Sequence, residues 1–191
     1  MHALTVLERD HRTVDDLFTR FEQTPRDDAA TLADLRDQIL RELSVHAVIE
    51  ELVFYPGVRE ANADLADQVL EGLEEHHAVK LMLTELEKIL PTAERFRPKM
   101  TVLIENVRHH VKEEEEDLFP MVREALTEEQ LQEMGEALEK ARATAPTRPH
   151  PFQPDQPPLN ALLGMPVAAF DRVFTTARQA VERVITSRKA S

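Results

Sequence analysis

Two stretches of this chain, 64 residues apart, carry one pattern in one frame. His46, Glu50 and Glu51 lead into Leu52-Val53-Phe54-Tyr55-Pro56, and His110, Glu114 and Glu115 lead into Glu116-Asp117-Leu118-Phe119-Pro120. Both copies read H-x-x-x-E-E, with a proline ten residues after the histidine. On a helix, residues i and i+4 share a face, so each copy aims an imidazole and a carboxylate at one point. Two such helices facing each other would enclose a cation.

The duplication extends further. Asp10-His11-Arg12-Thr13-Val14-Asp15 and the residues up to Glu22 align without gaps on Glu75-His76-His77-Ala78-Val79-Lys80 and the residues up to Glu87. Acid, His, Val, Thr and Glu recur in register. The chain therefore holds two copies of one helical hairpin, with His11 to His46 spaced by 35 residues and His76 to His110 by 34. Equivalent residues of two such hairpins gather about a pseudo-two-fold axis. Ile39, Leu43, His46, Glu50 and Val53 follow the steps of a buried stripe, and Leu103, Val107, His110, Glu114 and Asp117 repeat them. Histidine and glutamate thus stand where leucine belongs. An ionised carboxylate buried alone costs several kcal/mol, on the order of the penalty proteins avoid unless a cation compensates. Metal binding explains the pattern and simple packing does not. In the doubled histidines the repeat selects His76 and His110, and it places His77 and His109 behind the ligands. Glu113 and Glu116 are expected on a solvated face, while His2 and His150 play no part.

The elements follow from periodicity and breakers. Helices are predicted over about 3–22, 31–54, 64–90 and 98–118, ending near Pro25, Pro56-Gly57, Pro91 and Pro120. A shorter helix is predicted from Thr127, which forms a capping box with Gln130, to about Ala143. Short connections favour antiparallel neighbours, so the expected fold is all-α, an up-down-up-down four-helix bundle with additional C-terminal helices. The division is 1–145 for the bundle plus short helix, 146–166 for a Pro-rich strap, and 167–191 for an amphipathic last helix. That helix packs on its own bundle or pairs two copies as a homodimer.

Composition narrows the chemistry. A formal net charge of −13 argues against nucleic acid and against an anionic membrane surface. No cysteine is present, so any metal must use His and carboxylates. No stretch of about 20 apolar residues and no leader pattern occurs, and a cytoplasmic protein is expected.

His11, His46-x-x-x-Glu50, His76 and His110-x-x-x-Glu114, with an apolar pair and proline closing each second helix, resemble the hemerythrin-like (HHE cation-binding) family over about residues 3–125. The resemblance implies a four-helix bundle around a non-haem di-iron centre with an oxo or hydroxo bridge. It implies His11, His46, His76 and His110 as terminal ligands, and Glu50 and Glu114 as bridging carboxylates. Manganese or zinc would suit the same ligand types. Oxygen carriers of the family have a second histidine four residues after the third-helix one, where this chain has Lys80, and an aspartate five after the last. The departure leaves three readings: a protein binding dioxygen, peroxide or nitric oxide, a catalase-like enzyme disproportionating hydrogen peroxide, or an iron or redox sensor with a separate partner. Glu51 and Glu115 either orient the ligands and carry protons or form surface salt bridges.

Overall fold

In a computed structural model, residues 1–151 are described, and every regular element among them is helical. α1 spans Ala3–Gln23 and α2 spans Ala29–Ile49, the latter capped by Asp28, whose carboxylate accepts the Thr31 amide at 3.1 Å. α3 is Tyr55–Ala61, α4 Ala66–Leu86, α5 Phe96–Glu113, α6 Phe119–Ala125 and α7 Glu128–Arg142. Thr127 and Gln130 form both halves of the predicted capping box at the start of α7. The tail from residue 152, with most of the Pro-rich strap and the expected last helix, lies outside the described residues.

Two helix ends differ from expectation, and for one reason. α2 does not stop at Pro56-Gly57, nor α5 at Leu118. Each runs through one π turn, Glu50–Phe54 and Glu114–Leu118, straight into α3 and α6. In each turn the amide five residues on, of Tyr55 or Phe119, donates to the carbonyl of Glu50 or Glu114. Pro56 and Pro120 follow at once, in the first turn of the next helix, where a proline lacks no needed donor. The inserted residue rotates everything beyond it. In the second copy Leu118, Phe119 and Val122 are buried and Asp117, expected in the core stripe, is exposed, whereas in the first copy the same turn leaves Val53 buried because α7 packs over it.

α1, α2, α4 and α5, the last continued by α6, form the four-helix bundle, and α7 lies as a fifth helix against α1 and the first π turn. The apolar core falls into two parts along the bundle. One holds Val14, Phe18, Phe21, Leu35, Ile39, Leu83, Phe96 and Leu103, and the other Leu4, Leu7, Ile49, Phe54, Phe119, Leu131 and Leu138. Between them lies a single polar layer. No helix among the described residues is long and apolar enough to cross a membrane.

Candidate metal centre

The polar layer consists of the six residues that the hairpin repeat brings into register. His11, His46, His76 and His110 are 4–6% exposed, Glu50 is fully buried and Glu114 is 4% exposed. Each histidine turns Nε2 inward. His46 Nε2 lies 3.0 Å and His76 Nε2 3.3 Å from Glu50 Oε2, while His11 and His110 place Nε2 at 3.4 and 3.6 Å from Glu114 Oε2. His76 and His110 approach Nε2 to Nε2 at 3.2 Å. Two overlapping sets result: His11, His46, Glu50 and Glu114, and Glu50, His76 and His110, each with its ligand-type atoms within 4.8 Å of one another. Glu50 belongs to both.

A cation fits this layer. Both oxygens of Glu50, Glu114 Oε2 and the Nε2 atoms of His11 and His46 are buried without a hydrogen bond. Unsatisfied buried acceptors cost about 1–3 kcal/mol each, more when charged, and proteins rarely keep five in one place. Imidazole nitrogen and carboxylate oxygen form the donor set of iron, manganese and zinc.

The outward nitrogens explain the rest of the layer. His11 Nδ1 donates to Glu115 at 2.8 Å, His76 Nδ1 to Glu51 at 3.0 Å, and His110 Nδ1 to Glu75 at 2.6 Å. His46 Nδ1 faces Asp10 at a looser 3.7 Å, because Asp10 is also bound by Arg142 of α7. A carboxylate behind each imidazole fixes the tautomer that leaves Nε2 free for a metal. Asp10 and Glu75 are repeat equivalents and serve the histidine of their own hairpin; Glu51 and Glu115 are equivalents and reach across to the other hairpin. Glu51 is buried and Glu115 exposed, and each holds the outward nitrogen of a histidine from the other hairpin. His77 lies outside the cluster, and His109 is exposed and pairs with Glu113 at 3.3 Å.

Sequence reasoning missed Tyr55, Asp10 and Glu75. The acid before each first-helix histidine recurs in the repeat and was the available signal for two of them. Tyr55 is the chain's single tyrosine, at the register where the second copy has Phe119. Its hydroxyl donates to Glu114 Oε1 at 2.9 Å and lies 3.4 Å from His76 Nε2. Burial and the surrounding carboxylates hold the phenol well above its ordinary pKa, so it stays a donor. Gly72 makes room for it, since a Cβ there would stand 2.8 Å from the hydroxyl. Phe119 stacks on His11 instead, with ring centroids 6.0 Å apart. Lys80, where the carriers have a histidine, is buried and turned toward Glu51 at 2.6 Å.

Without a metal, protons take the cation's place. Burial alone would lower the His46 pKa, but Glu50 and Asp10 overcome it and push it up to about 10; His76 is pushed up to about 9 against burial by Glu50 and Glu51. For Glu50, burial would raise the pKa, yet His46 and His76 hold it well below the carboxylate range. The folded, metal-free protein keeps protons on His46 and His76 above pH 6.5 that the unfolded chain releases, so its stability falls as pH rises from 6.5 through 9 and 10. A metal must displace those protons. Apparent affinity for Fe(II), titrated anaerobically, is expected to rise roughly tenfold per pH unit for each proton displaced between pH 6.5 and 9. A pH-independent affinity would mean that the metal does not bind at these nitrogens.

Fold and site together define a four-helix protein that holds cations through histidine and carboxylate. The chain belongs to the hemerythrin family, for the hemerythrin HHE cation binding domain matches residues 2–122. An uncharacterized hemerythrin-like protein of Schizosaccharomyces pombe is 28% identical over 166 residues, 86% of this chain and 81% of that protein. A DNA nickase of Nostoc sp. is 31% identical over 143 residues, 75% of this chain but only 40% of the nickase. Among solved structures, a hemerythrin HHE cation binding domain-containing protein from Mycobacterium kansasii has the same fold, with a TM-score of 0.63 at 23% identity over 91% of this chain and 99% of that one.

Proposed function

We propose that this protein holds a pair of iron ions through His11, His46, Glu50, His76, His110 and Glu114 and binds a small ligand, dioxygen, peroxide or nitric oxide, beside them. Iron held by such a ligand set would supply redox chemistry between Fe(II) and Fe(III). The observation that carries the reading is a cavity of about 20 Å³ against all four histidine rings, otherwise walled by Val14, Leu43, Ala47, Val79, Val107 and Val111. That is room for about one water-sized molecule, and the apolar wall favours a ligand that is neutral and small. The carboxylates behind the imidazoles keep the four rings aimed at the centre. Nicking is not carried over from the Nostoc relative, because the match spans less than half of that protein and this chain has a net charge of −13.

Tyr55 favours a second reading, removal of hydrogen peroxide. Its hydroxyl reaches Glu114 and His76 from the second hairpin's side of the layer, a position from which it would donate a hydrogen bond to a small ligand held at the centre. Metal content and an optical spectrum after aerobic purification test the first reading. About two irons per chain and an oxo-to-iron absorption in the near ultraviolet are expected, with a spectral change when nitric oxide meets the reduced protein. Iron well below one per chain, unrestored by anaerobic Fe(II), would sink it. Oxygen evolution from peroxide that is lost in Tyr55→Phe while iron is retained supports the enzyme, and no evolution leaves the binding protein.

A further inference from the structure

Three of the four imidazoles are held from behind at bonding distance, and one is not. Glu115, Glu51 and Glu75 meet the Nδ1 atoms of His11, His76 and His110 at 2.8, 3.0 and 2.6 Å. His46 Nδ1 stands 3.7 Å from Asp10 Oδ2 and is buried without a hydrogen bond. Its acid is present, since Asp10 holds the position in the first hairpin that Glu75 holds in the second. That acid is engaged elsewhere. Arg142 of α7 pairs with the same Oδ2 that faces His46, and Arg9 lies 3.4 Å from Oδ1. Glu139, three residues before Arg142, meets Arg9 at 2.8 Å and Arg142 at 3.4 Å, and so fixes both guanidiniums around Asp10.

A cation beside the acid does not by itself open such a gap. Lys80 pairs with Glu51 at 2.6 Å, yet Glu51 still meets His76 at 3.0 Å. Asp10 is shorter by one methylene and meets two guanidiniums, one at each oxygen. The one on Arg142 comes from outside the bundle, for α7 at Glu128–Arg142 lies beyond residues 2–122 that the family domain matches. Close packing seats that helix. Gly135 lies against the backbone of Met1, His2 and Ala3, where a Cβ would collide, and Met134 fills the space left by Gly57. Inside the layer the two halves are alike. Glu50 Oε2 faces His46 and His76 at 3.0 and 3.3 Å, and Glu114 Oε2 faces His11 and His110 at 3.4 and 3.6 Å. Each ion of a pair would meet two imidazoles and share the same two carboxylates, so the difference lies behind the ligands.

We propose, resting on the iron-pair reading above, that Arg142 is a positioning residue for the centre. By holding Asp10 away from His46 it makes the ion on His11 and His46 the more weakly held of the two. A carboxylate that accepts from Nδ1–H raises the basicity of the imidazole and fixes its ring, and loss of such a partner lowers metal affinity about 10- to 100-fold. A carboxylate shared with two guanidiniums supplies less of both. α7 thereby gives two nearly symmetric hairpins an unsymmetric centre.

The test titrates Co(II) into the metal-stripped full-length protein. Visible absorption counts the ions, and the exchangeable Nδ1–H proton signals, shifted by the bound ion, show which histidines each one meets. Wild type is expected to take up two ions in separate steps, with the His46 signal appearing in the second. Repulsion between the ions also separates the steps, so the variants decide the cause. Asp10→Glu restores the reach of Glu75 without changing any charge, and Arg142→Met releases the acid. In each the second step is expected to tighten about tenfold or more while the first stays as it was. Arg142→Met/Asp10→Ala keeps the wild-type net charge but offers His46 no acceptor, and shows no gain. A second step unchanged in Asp10→Glu and Arg142→Met, equal tightening in the double variant, or a His46 signal in the first step would overturn the role of Arg142 and leave the metal pair standing. A folded Arg142→Met that loses thermal stability without tightening would make Arg142 an anchor for α7 alone. Asp10→Glu decides the matter if Arg142→Met does not fold. Wild-type protein that takes up no Co(II), or one ion only, overturns the metal-pair reading itself.

Discussion

If the centre holds the proposed pair of ions, Glu50→Ala is expected to empty both positions at once, where His46→Ala empties one. Glu50 is the side chain that belongs to both donor sets, with Oε2 at 3.0 Å from His46 and 3.3 Å from His76. His46 serves only the set that contains His11. Metal content after anaerobic Fe(II) loading and desalting measures the difference: near none for Glu50→Ala, and up to one per chain for His46→Ala. The metal-free protein also suffers, because His46 and His76 then lose the carboxylate that holds their protons against burial. Removing one partner of a buried ion pair costs about 3–5 kcal/mol. For a chain of this size that lowers Tm by on the order of 10 °C. Retention of a tightly held ion by Glu50→Ala would show that the two sets do not share this bridge.

The second large effect is expected at Lys80. Its ammonium, buried on α4, pairs with Glu51 at 2.6 Å, and Glu51 in turn accepts from His76 Nδ1 at 3.0 Å. Lys80→Met keeps the bulk of the side chain and removes the charge, so Glu51 is left as a buried carboxylate with His76 as its remaining neighbour in this chain of contacts. The expected cost is again about 3–5 kcal/mol, read as a loss in Tm. Lys80→Met/Glu51→Leu removes both charges and should recover most of that stability, since an apolar replacement of a buried pair is often neutral or better. It should not recover the metal site, because His76 then has no carboxylate to orient it, and losses of this kind lower metal affinity about 10- to 100-fold. A double variant as unstable as Lys80→Met would place the role of Lys80 in packing alone. Stability and affinity that recover together would show that Glu51 does not orient His76.

Much of this was legible in one dimension. The H-x-x-x-E spacing puts His46 with Glu50 and His110 with Glu114 on one face whatever the surroundings, because 3.6 residues per turn is a local property. The hairpin repeat then carried His11 and His76 into the same layer and chose His76 over His77 and His110 over His109. The π turns were not legible. A stripe of steps 4, 3, 4, 3 predicts Val53 and Asp117 as equivalents, and one is 1% exposed while the other faces solvent. Both copies carry the extra residue, so the difference comes from α7, which packs on the first π turn around Val53 and has no counterpart over Asp117 among the described residues. Proline, read as a stop, is tolerated here because the helix has already changed its hydrogen bonding one residue earlier.

What the sequence by itself determined is the composition of the polar layer: four histidines and two glutamates in buried register on four helices. Only the tertiary structure decided what stands behind and around them. Glu51 meets His76 from 25 residues away and Glu115 meets His11 from 104 away, each across to the other hairpin. Tyr55 enters the layer because Gly72 leaves a gap for it, and α7 packs over the first hairpin's π turn. Helical periodicity states which face of a helix is buried. Which helix that face meets, and what is left uncovered, is settled by packing between segments far apart in the chain.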